Sequence, residues 1–199
     1  MLGICVPVRD TVHTSFAYCL AQMTSYLTRN SIQFNLYFEN GSLIADQRYR
    51  LAEIATQQKC KEILWLDSDM VFPASVYRSL ANHNKDAAAC TYSTRTKPYR
   101  NVAFQSSDLT DTINHTSGLH KIYAVGMGIM LTKTEVFSTI PRPWFNTHWD
   151  QQTETFSGED IYFCDQLQNY GYELYVDCDL SKQCGHIGSS TIKMENINV

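Results

Sequence analysis

The sequence predicts an α/β fold: a central, mostly parallel mixed sheet flanked by helices. Three observations carry that expectation. Short apolar runs alternate with helix-length amphipathic segments through the first half of the chain, in the order β-α-β-α-β-α-β, which favours parallel strands covered by helices. The chain has 199 residues, 44% of them hydrophobic and 18% charged, enough for one domain with a substantial core. No repeat, low-complexity tract or Pro/Gly/Ser-rich linker interrupts it, so residues 1–199 read as a single domain.

The elements follow in order. LGICVPV (2–8) is an apolar run suited to a buried strand. In 13–27, Phe16, Leu20, Met23 and Leu27 fall on one helical face. IQFNLYF (32–38) alternates apolar and polar residues as a second strand does, and 42–58 is a helix with Leu51, Ile54 and Ala55 inward. EILWL (62–66) is a third strand ending at Asp67 and Asp69. Pro73 suits the first turn of a helix reaching about Asn82, where its missing N–H costs nothing. DAAACTYS (86–93) is a fourth strand. Beyond it, RTKPYRNVAFQ and HKIYAVGMGIML predict shorter strands, some antiparallel. SGEDIYFCDQLQNYG predicts a helix capped by Ser157, with acids in its first turn and a stop at Gly171. ELYVDCD (173–179) is the last strand. The chain thus divides into an α/β half of nucleotide-binding type, about 1–93, and a mixed half, about 94–199.

Composition excludes several classes. Apolar stretches fall far short of the roughly 20 residues that span a bilayer, and MLGICVPVRD lacks the regions of a signal peptide, which predicts a cytoplasmic protein. Seven scattered cysteines read as reduced, buried residues. Cys178, Cys184 and His186 in CDLSKQCGH lack a CxxC pair, so structural zinc is not expected. A net charge of −4 argues against a wide nucleic-acid footprint.

Chemistry concentrates at Asp67 and Asp69. Two like charges ending a buried strand are costly unless a cation or hydrogen bonds compensate. Their oxygens suit Mg²⁺ or Mn²⁺, which bridge to phosphates, and parallel sheets place binding residues at such strand ends. A solvated turn with Asp69 capping the next helix is the plainer alternative. A third is the DxDx(T/V) signature of haloacid-dehalogenase-like phosphatases, matched by DSDMV with Asp67 as nucleophile. That signature belongs on a first strand, whereas two strand–helix units precede it here.

VPVRDTVHTSFAYCL, IADQRYRLAEIA, ILWLDSDMVFP, AVGMGIMLTKTEVF, SGEDIYFCDQLQNYGYELYVD and CGHIGS occur in this order. The ordered set, from about residue 5 to 189, resembles small GT-A-fold (Rossmann-like), family 2-like glycosyltransferases of bacteriophages and bacteria. The resemblance implies a metal-dependent enzyme of hexosyltransferase type, moving a sugar from a nucleotide-diphosphate sugar to a hydroxyl acceptor. By the same resemblance Pro7, Val8 and Arg9 receive the nucleotide. Arg48 approaches the diphosphate, although Tyr49 follows it where the family often has asparagine. Asp67, Ser68 and Asp69 grip the diphosphate and a Mn²⁺ or Mg²⁺ ion held by Asp67, Asp69 and His186, with Gly185 and Gly188 allowing close approach. Gly126 and Gly128 begin the strand beside the donor sugar. Asp160 is the general base, and Glu159 orients base or acceptor.

Ordinary structural roles compete at each position. Arg48 and Arg50 suit an exposed helix face, Gly126 and Gly128 a bulge or packing point, and Glu159 and Asp160 a helix dipole. Trp144, Phe145 and Trp149 suit either sugar stacking or a core edge. Arg95, Lys97 and Arg100 form a basic loop, solvated or on the diphosphate side. A glycan, lipid-linked sugar, protein or modified DNA fits as acceptor, in a site either open or completed by another subunit. A catalytically silent nucleotide-sugar-binding module is the remaining alternative.

Overall fold

A computed structural model describes residues 1–95, 97–151, 154–188 and 191–193. The first half forms β1 (Leu2–Val8), α1 (Thr14–Arg29), β2 (Phe34–Asn40), α2 (Ile44–Gln57), β3 (Glu62–Leu66), β4 (Met70–Val71), α3 (Val76–Ala81) and β5 (Ala87–Ala89). Next come β6 (Ala103–Phe104), β7 (Leu119–Ile122), β8 (Ala124–Val125), β9 (Ile129–Lys133) and α4 (Val136–Thr139). The chain continues through β10 (His148–Asp150), β11 (Thr155–Ser157), α5 (Glu159–Asn169), β12 (Leu174–Asp177), α6 (Cys178–Ser181), β13 (Gly185–Ile187) and β14 (Thr191–Lys193). Thr96 and Ser189, which belong to quoted motifs, lie outside the described residues.

The main sheet has the order β2-β1-β3-β9-β5-β12-β7. β1 pairs in parallel with β2 and β3, and β12 in parallel with β5. β9 runs antiparallel between β3 and β5, and β7 is an antiparallel edge. This is the mixed α/β, Rossmann-like fold that the sequence predicts; the strand order, which the sequence does not give, places β9 beside β3. Its residues allow that central place because Ile129, Met130 and Leu131 bury side chains on both faces.

Strand alternation sorts the core into two layers. Leu2, Ile4, Val6 and Val8 of β1, Leu64 and Leu66 of β3, and Ile129 and Leu131 of β9 face α1 and α3, meeting Phe16, Leu20, Met23, Leu27, Val76 and Leu80. Cys5, Ile63, Trp65, Ala87, Ala89 and Met130 face the other way, toward Leu51, Ala52 and Ala55 of α2 and Phe163 and Leu167 of α5. At about 1.5–3 kcal/mol for each large side chain fully buried, this double layer is the main stabilising contribution. Trp144 and Phe145 belong to it: Phe145 packs on Trp65 and Phe163 with ring centroids 5.5 and 4.8 Å apart. Trp149 instead stays 51% exposed on the β10–β11 hairpin.

Local signals were overruled in two places. Asp69 does not cap the next helix, because β4 intervenes and α3 begins only at Val76, after Ser75. Pairing of β4 with β13 claims the residues after the aspartates and delays the helix past Pro73. Ser157 ends β11, and Gly158 takes the cap position of α5. Gly171, at φ 78°, does stop that helix in the left-handed region glycine favours. Among the described residues, no helix is long and apolar enough to cross a membrane.

Candidate active site

Period-two alternation carries Asp67, like Ile63 and Trp65, toward the α2 and α5 side of the sheet. Its N–H bonds the Gly128 carbonyl (2.9 Å), and its own carbonyl accepts from the Met70 N–H (3.1 Å), closing the turn. Arg48 reaches it from α2, with Nη2 2.8 Å from Asp67 Oδ1 and Nη1 2.9 Å from Oε1 of Glu159 in the first turn of α5. Arg48 is 2% exposed, so this is a buried cation between two carboxylates drawn from separate elements. Burial pushes Asp67 and Glu159 above the usual carboxylate range against the pull of Arg48, and the nearby Asp160 charge adds to the rise. Burial disfavours the Arg48 charge, but Asp67 and Glu159 more than offset it and keep the guanidinium protonated. Asp160 lies beside them, half-buried, accepting the Ile161 N–H through Oδ1 (2.8 Å).

Asp69 falls past the turn in a different setting. β4 pairs antiparallel with β13, placing His186 opposite Met70, and the Ile187 N–H bonds the Asp69 carbonyl (2.7 Å). His186 Nδ1 lies 3.0 Å from the Ser93 carbonyl. A carbonyl only accepts, so Nδ1 carries the proton and Nε2 presents a lone pair. That lone pair accepts from Arg95 Nε (2.7 Å) and lies 3.5 Å from Asp69 Oδ2, which Arg95 Nη2 also bonds. Burial pushes the Asp69 carboxyl up, yet hydrogen bonding and opposite charge around it outweigh this and hold it below the ordinary value.

Asp69 Oδ1 is buried without a hydrogen-bond partner among the described residues. The Asp69 carboxylate, with one oxygen orphaned, and the nearby His186 imidazole nitrogen are a donor pair that would suit Mn²⁺ or Mg²⁺. Of the three predicted ligands, Asp69 and His186 come together, whereas Asp67 is engaged by Arg48. No group of three His, Cys, Asp or Glu residues converges on one point among the described residues.

Pro7, Val8 and Arg9 lie at the carboxyl end of β1, on the edge that holds the aspartates. Gln47 Nε2 donates to the Val8 and Glu39 carbonyls (2.5 and 2.7 Å) and ties α2 to that edge. The His13 N–H reaches the Ser68 carbonyl (3.4 Å), joining the loop after β1 to the turn. Arg9 is exposed, 3.7 Å from Asp10.

Gly126 and Gly128 make room for Tyr92, a residue that sequence reasoning missed. A Cβ on Gly128 would lie 2.8 Å from the Tyr92 ring, and one on Gly126 2.5 Å from its hydroxyl. The Gly128 N–H bonds that hydroxyl (2.9 Å), and the ring stands edge-on to His186 at 5.1 Å. Gly128→Ala is therefore expected to cost about 1–3 kcal/mol through overpacking, read as a lowered urea midpoint. An unchanged midpoint would show that Tyr92 yields freely. The usable signal was an aromatic at the end of the fourth strand, but nothing local pairs it with Gly-Met-Gly.

No family model matches the sequence, and no curated relative matches it. Many solved structures resemble it, among them two that share its fold along most of the chain. Protein A197 from STIV is 17% identical, with 94% of this chain and 85% of that one aligned at a TM-score of 0.61. The nucleoside-diphosphate-sugar pyrophosphorylase from Vibrio cholerae RC9 is 12% identical, with 94% and 95% aligned at a TM-score of 0.52.

Proposed function

We propose that this chain is a GT-A-type glycosyltransferase moving a sugar from a nucleotide-diphosphate sugar to a hydroxyl acceptor. The observation that carries this reading is the Asp69–His186 pair, with its orphaned oxygen, on the same turn as the Asp67–Arg48–Glu159 cluster that adjoins Asp160. The ordered motifs support it, as does a fold shared with an enzyme named for nucleoside-diphosphate sugars. Pro7, Val8 and Arg9 receive the nucleotide at the sheet edge, and residues from about 94 onward serve donor sugar and acceptor.

Asp69 Oδ1 and His186 Nε2 would hold the divalent cation. When bound, that ion neutralises charge developing on the departing nucleotide diphosphate. Arg48, buried between Asp67 and Glu159, fixes those two acids beneath the site. Asp160 takes the proton from the acceptor hydroxyl as that oxygen bonds the sugar carbon and the sugar–diphosphate bond breaks. The Arg48 bond to Asp67 Oδ1 tells against a phosphatase in which Asp67 is a nucleophile.

A panel of nucleotide sugars with Mn²⁺ tests the reading. Nucleotide release is expected only with metal, and Asp160→Asn should lower sugar transfer by about 10²–10⁴-fold with donor affinity unchanged. Undiminished transfer would remove the base assignment. Donor binding without turnover across a broad acceptor panel would favour a silent module, and a phosphoenzyme lost in Asp67→Asn would favour the phosphatase.

A further inference from the structure

We propose that Arg95 is the resident counter-cation of the Asp69–His186 pair, and that a divalent cation binds there only by displacing it. The inference rests on reading Asp69 and His186 as ligands. Arg95 donates through Nε to His186 Nε2, the lone pair a metal would take, and through Nη2 to Asp69 Oδ2, on the carboxylate whose other oxygen would ligate it. A neutral imidazole has one lone pair, and here it is committed to Arg95. Guanidinium and metal therefore exclude each other at His186.

The two arginines of the site differ in whether they can leave. Arg48 is 2% exposed and bound between two acids, so its departure would strand buried charge. The Arg95 side chain is 55% exposed, and exposed ion pairs are weak enough to exchange. Its loop is pinned at the base by the Ser93–Asn101 bridge, by the Thr94 N–H on the Arg100 carbonyl (2.9 Å), and by the Arg100 N–H on Thr94 Oγ1 (3.1 Å). A pinned base keeps the freed guanidinium near the site, beside Lys97 and Arg100. Displacement thus couples two events: a cation takes the clamp, and a cationic side chain becomes available to the anionic diphosphate.

Calorimetric titration with Mn²⁺ alone tests this. If Arg95 closes the clamp about nine-tenths of the time, the wild type binds about tenfold more weakly than a protein with the clamp open. Arg95→Met should therefore bind Mn²⁺ about tenfold more tightly, with Arg95→Lys between the two. Arg100→Met removes the same loop charge without the contact and should bind Mn²⁺ as the wild type does. In the wild type, saturating Mg²⁺ should shift the NMR signal of the Arg95 Nε–H as its bond to His186 is released. Equal or weaker Mn²⁺ binding by a folded Arg95→Met, or equal tightening by Arg100→Met, would overturn the inference and leave the transferase reading to its own assay. Tighter binding without turnover on any donor would support the inference and count against that reading. Binding by none of the proteins would overturn both.

Discussion

Asp69→Asn is expected to abolish Mn²⁺ binding and to lower metal-dependent nucleotide release by about 10²–10³-fold, the range seen when one preorganised electrostatic contact is removed. The carboxylate is held ionised in a half-buried place with one oxygen left without a partner, a costly arrangement unless a cation completes it. An amide lacks the charge and puts an N–H donor at one of the two oxygen positions. The fold should tolerate the change, because the Asp69 contact that positions β13 is its main-chain carbonyl on the Ile187 N–H. Titration with Mn²⁺, release assays and a thermal melt on the same preparation separate these effects. Full metal-dependent release by a folded Asp69→Asn would rule out the ligand assignment.

Arg48→Met is expected to act on stability, costing about 3–5 kcal/mol, as removal of one partner from a buried ion pair does. Methionine fills much of the volume but leaves Asp67 and Glu159 facing each other without a cation, in a place that already pushes both toward protonation. Arg48→Lys should recover little, since one ammonium lacks the planar fork that spans two carboxylates. Adding Asp67→Asn and Glu159→Gln to Arg48→Met should restore part of the loss by removing the stranded charges. Urea midpoints at pH 7 decide it. A midpoint within error of the wild type would show that the acids are adequately solvated without Arg48.

The faces of the elements were legible in the sequence; their neighbours were not. Phe16, Leu20, Met23 and Leu27 all bury as their helical spacing requires, and β1 and β3 lie where their apolar runs place them. Periodicity reports which side of a strand is apolar, but carries nothing about which strand lies alongside. For that reason β9 between β3 and β5 was not foreseen. The same limit applied at the site. Helix arginines usually face water, and Arg48 is buried only because acids from β3's end and from α5 converge on it. Tyr92 and Arg95 reach their partners across distant sequence, through contacts that no local motif encodes.

The two aspartates, separated by Ser68 alone, are held by different sheets. Asp67 extends β3, which is paired along both edges by β1 and β9, and its own N–H is tied to Gly128. Asp69 opens a separate small sheet in which β4 meets β13 through two registered residue pairs. One half of the turn is thus held by the central sheet, and the other by two residue pairs and the Asp69 carbonyl on the Ile187 N–H.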